Sequence, residues 1–410
     1  MARTRVLIVD DSAFMRRTLS RLLGAIPSLE VAGAACNGEE GLRLARELKP
    51  DVITLDVEMP VLDGLGMLKR LMVEAPTRVV MLSSRTTENA RLSLDSLDCG
   101  AIDFVPKPTG PQALDIARVG DELVRKIEAA ASMPEAAFLR LRLIALRNLA
   151  GGGATKKEAA PTEDGRPEGA ASAGQNGSRC GVPARRSHRS PSPRVAAHRL
   201  VVVASSTGGP SALSVLVRDM PQNLGAAVAL VQHMPAGFTT SLAARLDSAG
   251  PLRCSEASPD DILVEDQILV APGDHHMISS TSGHVQLVRL HPVNGVRPAA
   301  DVTLQSVAPI WRERLLCVVL TGMGVDARDG ARAVKLYGGT VLAQDAATAT
   351  IFGMPGAVAE AGLADRVLPL DRIAGAVTAW CKTGDEVPLE PELASAAQPE
   401  SATGHPALAS

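Results

Sequence analysis

The chain has 410 residues, 46% of them hydrophobic, which is enough for two or three domains with separate cores. A formal charge of −3 and only eight aromatic side chains give neither the basic field nor the stacking platforms that nucleic-acid binding uses, so nucleic acid is not expected as a partner. Nowhere do about eighteen apolar residues run together. Val6 to Val9 is too short for a signal peptide, and the six cysteines are scattered without a Cys-x-x-Cys pair, so a cytoplasmic protein without membrane insertion is expected.

Short apolar runs alternate with amphipathic stretches over the first part of the chain. The runs Val6 to Val9, Val52 to Leu55, Val79 to Leu82 and Ile102 to Val105 read as strands, with helical stretches such as Met15 to Leu23, Gly38 to Leu48 and Leu65 to Met72 between them. This is the pattern of a parallel sheet wrapped by helices over residues 1–130. A further helical stretch, Phe138 to Leu149, should dock on a neighbour. From Ala150 to about Ala197 the composition turns to Gly, Pro, Ser, Ala and charge, so residues 131–197 are expected to be a helix followed by a disordered linker.

A second alternating region runs through Leu200 to Ala204, Ala226 to Val231, Gln267 to Ala271, Val285 to Leu290, Cys317 to Leu320 and Thr340 to Ala343. It predicts another doubly wound, mostly parallel α/β domain over 198–384. The Pro-, Ala-, Ser- and Glu-rich residues 385–410 are expected to be a disordered tail.

Three carboxylates fall at predicted strand ends in the first domain: Asp10 and Asp11 after Val9, and Asp56 after Leu55. The carboxyl ends of parallel strands are where open α/β sheets bind ligands. Crowded carboxylates repel unless neutralised, and an oxygen-only donor set suits Mg²⁺. Ser83 and Lys107 add a hydroxyl and a cation at two further strand ends. An Asp after a strand is commonly only a cap or turn former, and Asp63 reads as one.

The set resembles the receiver domain of two-component response regulators: Asp10-Asp11, Asp56-Val57-Glu58-Met59-Pro60, Leu62-Asp63-Gly64, Gly100-Ala101 and Lys107-Pro108 all fall in register. The resemblance implies a flavodoxin-like fold with a five-stranded parallel sheet. It also implies that Asp56 accepts a phosphoryl group from a sensor histidine kinase, with Asp10, Asp11 and Asp56 holding Mg²⁺. Ser83 and Lys107 would read the phosphoryl oxygens, Phe104 stands at the switch aromatic, and the Lys107-Pro108 bond would be cis.

In the second region, Ser205-Ser206-Thr207-Gly208-Gly209-Pro210 lies between a strand and a helix, where free N–H groups favour an oxyanion. Alone, this turn could equally bind phosphate or cap a helix. His233 ends a neighbouring strand in Gln232-His233-Met234-Pro235, and Asp326 follows another in Leu320-Thr321-Gly322-Met323-Gly324-Val325-Asp326. Nucleophile, base and orienting acid are thus each delivered by a separate strand end.

From His198 to Lys382 the chain resembles the catalytic domain of the chemotaxis methylesterase family, CheB. Besides the three stretches above, Ala271-Pro272-Gly273-Asp274-His275-His276-Met277, Pro292-Val293-Asn294, Arg297-Pro298, Asp301 and Phe352-Gly353-Met354-Pro355 match in order. Alignment on Thr207-Gly208-Gly209 selects Ser206 as nucleophile and leaves Ser205 as a packed hydroxyl. By the resemblance His233 is the general base, Asp326 the acid that orients it, the Met323 amide the oxyanion donor, and Thr207 lines the site. The implied reaction is hydrolysis of glutamate methyl esters on methyl-accepting chemoreceptors, with deamidation of receptor glutamines by the same route. No cofactor is expected for the esterase step. An unphosphorylated receiver would cover the catalytic face.

Three rival readings are a receiver-controlled binding module with a dead site, a transcriptional regulator, and a general small-molecule esterase. A transcriptional regulator would need a helix-turn-helix and a basic face after the linker, where the chain is instead rich in strands and glycine.

Overall fold

The structure is a computed structural model, and it describes residues 3–84, 86–107, 113–151 and 196–383. The expected linker and tail, and Pro108 of the expected cis bond, lie outside the described residues.

Five strands form the first sheet: β1 (Thr4–Val9), β2 (Leu29–Ala35), β3 (Val52–Asp56), β4 (Arg78–Ser83) and β5 (Asp103–Pro106). They are all parallel in the order β2-β1-β3-β4-β5. Val6 to Val9 and Val52 to Leu55 are completely buried, Thr54 included, as near-continuous apolar runs are when helices cover both faces. The helices are α1 (Ala13–Gly24), α2 (Gly38–Leu48), α3 (Gly64–Glu74), α4 (Thr87–Asp98) and α5 (Ala113–Ser132). Ser12, Asn37 and Asp63 cap the first three by accepting the amides of Met15, Glu40 and Gly66, so Asp63 is the turn residue its sequence context suggested. Helix α6 (Glu135–Gly151) docks on this domain: Phe138 and Ala145 are buried, Arg142 donates to the Met72 carbonyl and Asn148 to that of Asp98.

The second sheet is built from β6 (Leu200–Ser205), β7 (Ala227–Gln232), β8 (Arg253–Glu256), β9 (Gln267–Val270), β12 (Leu315–Val319), β13 (Thr340–Gln344) and β14 (Arg366–Leu368). All seven are parallel, in the order β14-β13-β12-β6-β7-β9-β8. The order reverses at β6, so the carboxyl ends of β12, β6 and β7 frame a topological switch point. The expected strand Val285 to Leu290 is shorter, β11 (Val285–Val288), and pairs antiparallel with β10 (His276–Ser279) outside this sheet. Around the sheet pack α7 (Gly209–Asp219), α8 (Phe238–Ala249), α9 (Ala300–Trp311), α10 (Arg328–Leu336), α11 (Met354–Glu360) and α12 (Leu370–Thr383).

The two sheets share one contiguous apolar cluster, which passes from Leu55 and Leu71 through Leu94, Leu97 and Phe104 to Phe238, Leu242 and Leu246. The Phe104 and Phe238 rings stack with centroids 4.7 Å apart. Arg245 on α8 donates to the Asp98 carboxylate at 2.5 Å and the Leu94 carbonyl at 3.1 Å, both on α4. The first domain therefore packs through α4 and β5 against α7 and α8, beside the carboxyl edge of the second sheet.

Candidate functional sites

The acid cluster forms as its spacing indicated. Asp10, Asp11 and Asp56 bring one carboxylate oxygen each to within 4.8 Å of one another. Lys107 reaches Asp56 at 2.6 Å and Asp10 at 2.8 Å. Burial pushes the Asp56 carboxyl up to about 6 against the pull of the Lys107 ammonium, with the Asp10 charge adding to the rise. Crowded, partly desolvated carboxylates with one exposed member, Asp11, fit a hard divalent cation approached from solvent. Ser83 is buried close by, but its hydroxyl donates to the carbonyls of Ser84 and Asn89 and is not turned to Asp56. Phe104 does not face the cluster; it lies between the domains on Phe238.

The second site assembles at the switch point. Ser205 pairs with Gln232 across β6 and β7, so Ser206 and His233 leave adjacent strands at the same level. The Ser206 amide donates to the Thr321 carbonyl at 3.0 Å, which ties the turn to the end of β12. The Gln232 side chain donates to the Ser206 carbonyl at 2.9 Å and accepts the Ser205 hydroxyl at 2.7 Å. Ser205 is thus a packed, hydrogen-bonded hydroxyl, while Ser206 lines the cavity. Gly322 is a position of close approach: a Cβ there would lie 2.8 Å from the Ser206 Cβ. The next residue, Met323, also lines the cavity, and its amide makes no hydrogen bond to another described residue.

His233 Nε2 and Asp326 Oδ2 are 2.7 Å apart. Asp326 is buried and accepts two further amides, Ala300 N–H at 2.6 Å and Asp301 N–H at 3.0 Å, from the first turn of α9. Burial raises its carboxyl, but the His233 contact and these amides more than offset that and hold it below its ordinary value. A cavity of about 520 Å³ contains Ser206, His233, Met323 and Asp326, together with Asp274, Arg289, Asn294 and Arg297. Its roof is the first domain, through Pro106, Val119, Glu122, Arg125 and Lys126.

Thr207 is not on the cavity wall. It is 1% exposed, and its hydroxyl donates to Asp103 Oδ2 of β5 at 2.6 Å. Asp103 Oδ1 in turn takes Lys126 Nζ at 3.1 Å, and Lys126 also donates to the Phe104 carbonyl. No motif in the sequence signals this link between domains. His276 likewise escapes a sequence reading. It is fully buried; the Ala299 amide donates to its Nδ1, which fixes the neutral tautomer with Nε2–H donating to the His291 carbonyl.

A lysine-paired acid cluster at the carboxyl edge of one parallel sheet, joined to an α/β domain with a Ser, His and Asp at one sheet edge, has the form of a response regulator with an enzymatic output. The comparisons make this specific. Residues 6–117 match the response regulator receiver domain and residues 201–377 match the CheB methylesterase family. A protein-glutamate methylesterase/protein-glutamine glutaminase of Symbiobacterium thermophilum is 44% identical over 377 residues, 91% of this chain and 96% of that one. Relatives of the same name from Pyrococcus abyssi (39% identical, covering 90% of this chain and 91% of the relative) and Thermotoga maritima (40%, covering 90% and 96%) are similar. The chain belongs to the CheB family of protein-glutamate methylesterases with an N-terminal receiver.

Proposed function

We propose that this chain is the phosphorylation-regulated methylesterase and glutaminase of a chemosensory pathway, and that Ser206, His233 and Asp326 carry the chemistry. The observation behind the site assignment is the 2.7 Å His233–Asp326 contact in the cavity that Ser206 lines. Because Asp326 occupies Nε2, Nδ1 is the nitrogen left to receive the Ser206 proton.

Ser206 Oγ attacks the ester carbonyl of a receptor glutamate methyl ester while His233 takes its proton. The negative charge that develops on the carbonyl oxygen is met by the Met323 amide. The C–O bond breaks, His233 returns the proton to the departing methoxide, and methanol leaves an acyl-Ser206. Water, deprotonated by the same imidazole, then releases the glutamate carboxylate. A glutamine side chain follows the same course with ammonia as the leaving group.

In the receiver, Asp56 is the phosphoryl acceptor from a sensor histidine kinase. Asp10, Asp11 and Asp56 would hold Mg²⁺, which when bound supplies positive charge against the phosphoryl oxygens. Lys107 anchors the phosphoryl group, and Ser83 serves only after its hydroxyl turns from Ser84 and Asn89. The receiver forms the roof of the cavity in the arrangement described, so a receptor helix reaches Ser206 only once that roof moves.

The test is methanol release from methyl-labelled receptor membranes by wild type and Ser206→Ala, each with and without Mg²⁺ and a small phosphodonor. Release that requires Ser206 and rises with phosphodonor is expected. Equal release by both proteins would sink the catalytic assignment and favour a receiver-controlled binding module.

A further inference from the structure

Two buried carboxylates are exchanged between the helices that follow β11 and β12. Asp326, just before α10, accepts the Ala300 and Asp301 amides at the start of α9, where the N-cap residue Ala299 offers no side-chain cap. Asp301, in the first turn of α9, accepts the Gly330 amide at the start of α10 at 2.6 Å, and there too the N-cap, Ala327, has none. Each helix N-terminus is satisfied by the other's aspartate. The second Asp301 oxygen accepts Asn294 Nδ2 at 2.9 Å.

Asn294 and Gly295 form a tight turn in which Val293 and Val296 exchange both backbone hydrogen bonds and both central residues have positive φ, 54° and 77°. The turn lies on the cavity wall with Ser206 and His233, and an added Cβ at Gly295 would meet the receiver's Arg125 at 3.5 Å. Asp301 is 3% exposed and does not line the cavity. It touches one element that faces the substrate space and, through its own amide, the carboxylate that orients His233.

From this we propose that Asp301 is a positioning residue for receptor-ester hydrolysis, which sets the Asn294-Gly295 turn against the incoming receptor helix and holds it in register with Asp326. The proposal rests on the assignment of Ser206, His233 and Asp326 above. An acid is needed at 301 because both of its oxygens face N–H donors, and an asparagine offers only one acceptor. Asp301→Asn can keep the Gly330 contact only by turning its own NH₂ toward that of Asn294. Combining Asp301→Asn with Asn294→Asp restores a donor and an acceptor with the polarity reversed.

Steady-state kinetics on methyl-labelled receptor membranes, with the full chain, Mg²⁺ and saturating phosphodonor, distinguish this from a structural role. Asp301→Asn and Asn294→Ala are each expected to raise KM about fivefold, the scale of one hydrogen bond. Asp301→Asn should also lower kcat. The reciprocal pair should return KM to within about twofold of wild type, because the bond it restores is the one each single change removed. A merely structural residue would lower the melting temperature and the active fraction without moving KM, and the reciprocal change would not repair it. Should Asp301→Asn fail to fold, Asn294→Ala, which leaves the Gly330 contact in place, tests the same rise in KM. Ser206-dependent release with unchanged KM in the single variants, or a reciprocal pair no better than either, overturns the proposal alone. Release that persists in Ser206→Ala overturns the assigned chemistry and the proposal together.

Discussion

The Thr207 hydroxyl donates to Asp103 of the receiver at 2.6 Å, which joins the residue beside Ser206 directly to β5. Asp103 immediately precedes Phe104, and Lys107 closes the same short segment at Asp56. A rearrangement at Asp56 therefore has a path along one short segment, from Lys107 back four residues to Asp103, to the contact between the receiver and Thr207.

Replacing Asp103 by alanine should loosen the receiver. Alanine gives up the Thr207 contact together with the Phe104 amide at 2.8 Å and Lys126 at 3.1 Å, although Lys126 keeps Glu122 at 3.2 Å and the Phe104 carbonyl at 2.7 Å. A hydrogen bond to a charged group contributes about 1.5–3 kcal/mol. Expressed wholly in docking, that is at least about tenfold more open molecules. Basal Ser206-dependent methanol release without phosphodonor should rise by up to that factor, and the fold-activation by phosphodonor should shrink in proportion. An unchanged basal rate would show that Asp103 has no part in closure.

Phe104 and Phe238 supply a second and separable contribution. Their stacked rings should couple by about 0.5–1.5 kcal/mol beyond the area they bury. A double-mutant cycle of Phe104→Ala and Phe238→Ala, read as basal release, should show the two changes to be less than additive by that amount. Strict additivity would mean that the stack does not hold the roof.

Much of this site was legible in the sequence, and the reasons are local. The strands show because β1, β3, β6 and β12 are mostly apolar runs, and a motif at a strand's carboxyl end inherits its place from the strand. Ser206, His233 and Asp326 follow β6, β7 and β12, three neighbours in the sheet, so their convergence follows from strand order. The three-residue β14 and the half-exposed β8 leave too few apolar positions to show a period. Asp103, Arg245, His276 and Asp301 act through partners distant in sequence, so no local pattern states their roles. Nothing in a stretch such as Ile102-Asp103-Phe104 states that the aspartate will meet a threonine at 207. Thr207, expected on the cavity wall, turns to the receiver for the same reason.

Asp326 has two duties that different substitutions should separate. Asp326→Asn keeps an oxygen for one α9 amide but presents the wrong partner to His233, so turnover should fall by on the order of 10³-fold or more. Asp326→Ala loses the acceptor for both the Ala300 and Asp301 amides and should cost a further 1–2 kcal/mol or so of stability, the scale of a lost helix cap. Release assays should therefore rank the two variants together, while thermal melts should rank asparagine above alanine. Equal melting temperatures would mean that the carboxylate does not cap α9.

Asp301 gives the stability curve a pH dependence with a definite sign. Burial first, and the neighbouring Asp326 charge second, push its carboxyl up to about 6. A folded-state value above the unfolded one, near 4, means that the folded protein binds this proton more tightly. The resulting stabilisation is fully present below the unfolded value and is lost as pH rises through about 6. Asp326 behaves oppositely: its lowered value contributes stability at neutral pH that is lost only in stronger acid. His276, which lies close enough to feel the Asp326 charge, is common to wild type and Asp301→Asn, so its contribution largely cancels in a comparison. Between pH 7 and pH 5 the wild type should gain roughly 1 kcal/mol relative to Asp301→Asn. Denaturant unfolding of both proteins at the two pH values measures this directly. Parallel pH dependences would place the Asp301 proton equilibrium outside that window and leave the exchanged carboxylates both ionised throughout.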